Sequence, residues 1–212
     1  MSGNGVRCLA WAAERAGLVD GDVLAVRTRA GEKHVTLQRD RTGAVTGASV
    51  DMGAVTFAPE AIPLAATSSL GLVAEFHGVR YEGDAVGMGN PHLVLFVDDP
   101  ETARVPTHGQ RLERDDRFPS RTNVEFVTVS ADRAIEMRVW ERGVGETLSC
   151  GTGACAAAAA AHRRGLVDER VRVRVRGGVL SVELGDSVVL GGPVRHVFDV
   201  VVDVARLVEQ ST

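Results

Sequence analysis

One pattern occurs twice in this chain, and it limits the possible folds more than any other feature. Ser2-Gly3-Asn4-Gly5-Val6-Arg7 aligns with Cys150-Gly151-Thr152-Gly153-Ala154-Cys155. Each copy leads into an alanine-rich stretch, then into Gly-Leu-Val-Asp at 17–20 or 165–168, then into alternating apolar and polar residues. Alanine favours helix, and glycine just past its end suits a helix C-terminus. The expected helices span 6–15 and 153–164. An internal duplication giving two similar halves explains this recurrence better than chance.

Strand signals fill most of the rest. Alternation with Gly or Asp punctuation marks strands at 22–29, 33–39 and 45–52. Residues 88–99 read as a turn followed by the apolar strand LVLFV. Further strands are expected at 122–129, 134–141, 171–175, 179–184 and 194–202. The region 100–120, with three prolines, reads as a connecting loop with one short helix.

Composition narrows the function. Twenty-four basic and 28 acidic side chains give a formal charge of −4, and aromatics make up 4%. That balance lacks the basic face nucleic-acid binding needs. The longest apolar run, 154–161, is far too short to cross a bilayer, and the N-terminus carries no export signal pattern. Three cysteines form no disulfide framework, so a cytoplasmic protein is the default. No histidines or cysteines show metal-ligand spacing, and neither metal nor cofactor is expected.

Cys150 is the leading chemical candidate. A thiol just before a glycine turn that opens a helix faces unpaired N–H groups and the positive end of the helix dipole. That placement is expected to lower its pKa from about 8.5 toward neutrality; the alternative is a buried small hydrophobe. Ser2 holds the matching place in the first motif, as a helix cap or as a second proton-transfer group. Cys8 and Cys155 read as core residues. Asn90 and His92 flank a proline that restricts the local backbone. His34, His77, His108, His162 and His196 are expected on strand edges, loops or a helix surface. Glu141-Arg142 is either a surface ion pair or a recognition pair for an ammonium and a carboxylate.

The strings GNGVRC (3–8), GNPH (89–92), RTNVEFV (121–127), MRVWERGVGET (137–147) and SCGTGACA (149–156) resemble diaminopimelate epimerases. These are pyridoxal-phosphate-independent amino-acid epimerases of lysine and peptidoglycan biosynthesis. The resemblance covers essentially the whole chain in order. It implies an α+β fold of two pseudo-symmetric halves, each a curled, mostly antiparallel sheet or barrel around a central helix. The first half would be incomplete. Boundaries follow at 1–85 for the remainder of the N-terminal half and 86–196 for the C-terminal half. Residues 197–212 would be a C-terminal strand or tail packing back on the first half.

The resemblance also implies roles. Cys150 is the retained catalytic thiol, with Ser2 at the position of the second cysteine, and His92 and Glu141 support proton transfer. Gly3, Asn4, Asn90, Asn123, Glu141, Arg142, Gly151 and Thr152 would contact a diamino dicarboxylic acid substrate, and a homodimer is implied. Two departures stand out. Ser2 replaces a cysteine, and the family's N-terminal segment, with further substrate-binding residues, is not in this sequence; the expectation is that either the chain begins at an internal methionine or its start was assigned too late. The alternatives are a related cofactor-independent racemase or dehydratase, and an inactive relic.

Overall fold

A computed structural model of the chain describes residues 3–28 and 31–201. It opens with helix α1 (Gly3–Arg15), followed by strands β1 (Val23–Thr28), β2 (Gly31–Arg39) and β3 (Val45–Gly53). Then come β4 (Leu72–Phe76), β5 (Val79–Gly87) and β6 (Pro91–Phe96). Helix α2 (Val105–Leu112) precedes β7 (Asn123–Val129), β8 (Ile135–Glu141) and β9 (Gly145–Thr147). Helix α3 (Gly151–Arg163) leads to β10 (Arg170–Val175), β11 (Gly178–Glu183) and β12 (Val188–Pro193). The strands form one open sheet in the order β1-β2-β3-β12-β11-β10-β8-β7-β6-β5-β4, with β9 paired to β8. Pairing is antiparallel except between β6 and β7 and between β8 and β10.

The duplicated pattern is a duplicated structure. α1 followed by β1–β3 repeats as α3 followed by β10–β12. Gly17 and Gly165 both take left-handed backbone, at φ 67° and 71°. The amides behind them close the helices alike, Leu18 N–H onto Ala13 O at 2.9 Å and Leu166 N–H onto Ala161 O at 3.0 Å. This is the glycine-terminated helix end, where a Cβ would strain the turn. The repeats meet at mid-sheet, where β3 and β12 run antiparallel with Val50 opposite Leu190.

The two helices are buried differently. Along α3 every residue from Gly153 to Ala161 is buried. A helix enclosed on all sides needs small side chains so that surrounding strands can approach its axis, and the alanines meet that need at no propensity cost. Its C-terminal end is tied down by Arg164, which donates to both carboxylate oxygens of buried Asp84, at 2.7 and 2.8 Å. α1 buries only Gly3, Val6, Arg7 and Ala10. Strands β5–β7 sit between two apolar layers: Val86, Val94 and Val127 share a core with α3, while Ala85, Leu93, Leu95, Val124 and Phe126 share one with α2.

Several expectations change. α1 begins at Gly3 and α3 at Gly151, so the glycines belong to the first helical turns. β4, β5 and β9 were not anticipated; Gly83, Gly87 and Gly145 interrupt the apolar reading there. Gly83 is required in β5, since a Cβ would lie 2.0 Å from the Val94 carbonyl oxygen. The strand expected at 194–202 is instead β12, ending at Pro193, and residues 194–201 form no strand. Gly191 and Gly192 look like strand breakers, yet they let β12 approach Ser181, Leu180 and Arg7. Cys8 is exposed, because α1 covers the sheet with one face only; Cys155 lies in the core as expected. His108 is buried on the inner side of α2, its Nδ1 2.8 Å from the Tyr81 hydroxyl. Residues 202–212, most of the expected tail, lie outside the described residues. Among the described residues no helix is long and apolar enough to cross a membrane.

Candidate active site

The two duplicated helix starts face each other. A Cβ placed on Gly151 would lie 3.6 Å from the Cα of Gly3. A Cβ on either glycine would come 2.8 Å from the same atom, Leu190 Cδ2. Two N-termini therefore converge over one leucine of β12, and their first-turn N–H groups gather at one place. Ser2 lies outside the described residues. Asn4, in the first turn of α1, accepts from Arg7 Nη2 at 2.6 Å. Beside the convergence opens a cavity of about 530 Å³ lined by Asn4, Arg7, Leu148 and Ser149.

Cys150 is the N-cap of α3 in extended conformation, with its sulfur accepting from Gly153 N–H at 3.4 Å. The Thr152 hydroxyl lies 3.5 Å from the same sulfur. The expected acidic thiol is not found. Burial first, then the charges of Glu125 and Glu141, push Cys150 up to about 12, against the lowering from Thr152 and Gly153. Cys150 is only 6% exposed. The magnitudes explain the reversal: a helix N-terminus stabilises an anion by about 0.3–1 kcal/mol, whereas full burial shifts a titrating group by as much as about 3–5 pKa units. In the free protein this sulfur holds its proton.

β6 and β7 run parallel with His92 opposite Asn123, and Val94 opposite Glu125. His92 and Glu125 thereby fall on the face of the sheet toward α3. Both side chains are fully buried, with His92 Nδ1 2.7 Å from Glu125 Oε1. His92 Nε2 lies 3.1 Å from the Asn90 side-chain amide. Asn123 ties two turns together, donating to the Pro91 carbonyl at 2.9 Å and accepting from Arg142 N–H at 2.9 Å. Glu141 ends β8 and accepts from the Thr147 hydroxyl at 2.5 Å. The Arg142 guanidinium is exposed and donates to Ser120 O at 3.0 Å.

Cys150, Glu141, His92, Asn90, Asn123 and the two glycine turns are thus joined by short contacts or shared neighbours. Two buried carboxylates beside these residues escaped the sequence reading. Glu125 was hidden inside the strand VEFV, where its signal is a charge on the same strand face as Asn123. Glu113, 3% exposed, accepts from Trp140 Nε1 at 2.8 Å and Gly143 N–H at 3.0 Å, and so clamps the turn that carries Arg142. Its signal is weaker, since it lies in a charge-rich loop.

Residues 84–197 match the family model described as diaminopimelate epimerase. The chain is 44% identical over 205 residues to a diaminopimelate epimerase of Moorella thermoacetica, covering 93% of this chain and 72% of that protein. To the diaminopimelate epimerase of Desulfitobacterium hafniense it is 43% identical over 203 residues, covering 93% and 71%. Among solved structures, a hydroxyproline epimerase from Agrobacterium vitis superposes with a TM-score of 0.68 at 18% identity, over 87% of this chain and 62% of that one. A predicted epimerase from Pseudomonas aeruginosa superposes with a TM-score of 0.59 at 22% identity, over 86% and 68%. These folds consist of two pseudo-symmetric halves.

Proposed function

The chain belongs to the diaminopimelate epimerase family, and from that membership we propose that it interconverts LL- and meso-2,6-diaminopimelate by proton transfer at Cα. The reaction serves lysine and peptidoglycan precursor biosynthesis. The observation that carries the reading is the convergence of two helix N-termini at Gly3 and Gly151. Inverting a stereocentre requires one group to remove the α-proton and another to deliver a proton to the opposite face. Two opposed helix mouths supply two such directions at one carbon. Their N–H groups, with Gly3, Asn4, Gly151 and Thr152, are suited to hold the α-carboxylate and the charge that develops on it. In this reading the chemistry is independent of pyridoxal phosphate, with the developing charge held by these groups.

In this reading Cys150 is the proton donor of the α3 side, since burial and the neighbouring carboxylates keep a proton on its sulfur. Binding an α-ammonium near Glu141 compensates the negative charge beside the sulfur and eases release of that proton. Ser2 belongs to the opposite side, where its hydroxyl takes up the departing α-proton by passing its own proton to water, a slower route because an alcohol is a far weaker base than a thiolate. Arg142 is assigned to a substrate carboxylate, and Asn90 and Asn123 to its polar groups. His92 supports proton transfer. The division at residues 85 and 196, the cytoplasmic location and a homodimer belong to the same reading, supported by the family.

Incubation with LL-2,6-diaminopimelate in deuterium oxide tests it. Appearance of the meso isomer carrying deuterium at Cα is the expected result. Exchange confined to proline or hydroxyproline would move the chain to a related racemase, and no exchange with any of these amino acids would make it a relic.

A further inference from the structure

We propose that Glu125 is a positioning residue for the proton transfer, a buried carboxylate that fixes the ring of His92 and borders the thiol-bearing mouth of α3. The inference rests on the epimerase reading for its turnover measurement alone.

Glu125 is fully buried, as is the imidazole it holds. One oxygen, Oε1, is engaged with His92 Nδ1; the other, Oε2, has no hydrogen-bond partner among the described residues. An unsatisfied buried oxygen costs about 1–3 kcal/mol, and an apolar residue in β7 would avoid that cost. Such exceptions concentrate at functional sites.

Gly153 shows how near this carboxylate lies to the thiol. The point where a Cβ would sit on Gly153 is 2.6 Å from Glu125 Oε1 and 3.3 Å from Cys150 Cβ. Only a glycine leaves that space open, and the same residue donates its N–H to the sulfur. Glu125 and Glu141 are the charged groups acting on Cys150, and Glu125 acts more strongly.

Two consequences follow. As acceptor, Glu125 fixes a proton on His92 Nδ1 and so sets the ring plane that presents Nε2 to the Asn90 side-chain oxygen at 3.1 Å. Its charge also adds to burial in keeping the proton on Cys150 until a cationic substrate group arrives.

Glu125→Gln preserves shape and removes the charge. Alkylation of Cys150 by iodoacetamide, read by peptide mass spectrometry with exposed Cys8 as internal reference, is expected to accelerate at least about tenfold, since each pKa unit changes the thiolate fraction about tenfold. Turnover is expected to lose at least about tenfold in kcat, with KM within about twofold, because the defect lies in proton transfer rather than binding. An unchanged Cys150 rate overturns the inference, whether or not the protein turns over diaminopimelate. A faster Cys150 in a chain that shows no turnover upholds it and rejects the epimerase reading instead. Should Glu125→Gln fail to fold, imidazole nitrogen NMR of the unaltered protein decides: His92 protonated at Nδ1 supports the inference, and protonation at Nε2 alone overturns it.

Discussion

The mouths of α1 and α3 share a sequence pattern and a helix geometry, yet they carry opposite chemistry. Cys150 caps α3 with two carboxylates, Glu125 and Glu141, acting on its sulfur. At α1 the buried charge is a cation: Arg7 is 3% exposed, and its Nε and Nη1 lack partners among the described residues. Burial holds that guanidinium below its ordinary value. Arg7 occupies in α1 the place of Cys155 in α3. A glycine turn opening a helix therefore supplies N–H groups and nothing more specific. The strands beneath each mouth decide which charge those groups meet.

Three comparisons probe this asymmetry. The largest effect is expected from Cys150→Ala, which should lower kcat/KM by roughly 10²–10⁴-fold, the usual contribution of a proton-transfer group. Cys8→Ala, on the exposed side of α1, should leave it unchanged; equal losses would abolish the distinction. A middle effect contrasts the two helices in thermal unfolding. Ala157→Leu, inside the fully enclosed α3, should lose about 1–3 kcal/mol through overpacking. Ala12→Leu, on exposed α1 surface, should stay within about 0.5 kcal/mol.

The smallest effect is alkaline. Cys150 titrates near 12 when folded, above the thiol reference of 9.0, so between those values the folded state binds more protons than the unfolded one. Stability should then fall as pH rises through that window, by at most about 1.4 kcal/mol per pH unit for one proton. Urea titrations at pH 9 to 11 should show a shallower decline for Cys150→Ala than for the unaltered chain. Parallel slopes would mean that the α3 thiol is no more buried than an ordinary one.

Local patterns were legible where the backbone obeys its own chemistry. The meander after α1 was readable from alternation, and the two helix ends from Gly17 and Gly165. Reading failed where a glycine served proximity rather than a turn. Gly83 and Gly191 sit inside strands because a neighbouring chain passes too close for a Cβ, and no local pattern reveals a neighbour. The thiol of Cys150 was found for its position and misjudged for its acidity, since its burial comes from tertiary packing and Glu125, twenty-five residues away along the chain, reaches it only through β7.

The sequence by itself determined the duplication, the helix-forming alanines and the glycine-opened turns, because propensity and backbone freedom are properties of neighbouring residues. Tertiary structure alone decided that the two turns converge over Leu190, that α3 is enclosed while α1 lies open on one side, and that the sulfur keeps its proton. Desolvation and charge depend on what folds into a few ångströms of space, and the order of residues does not state that distance.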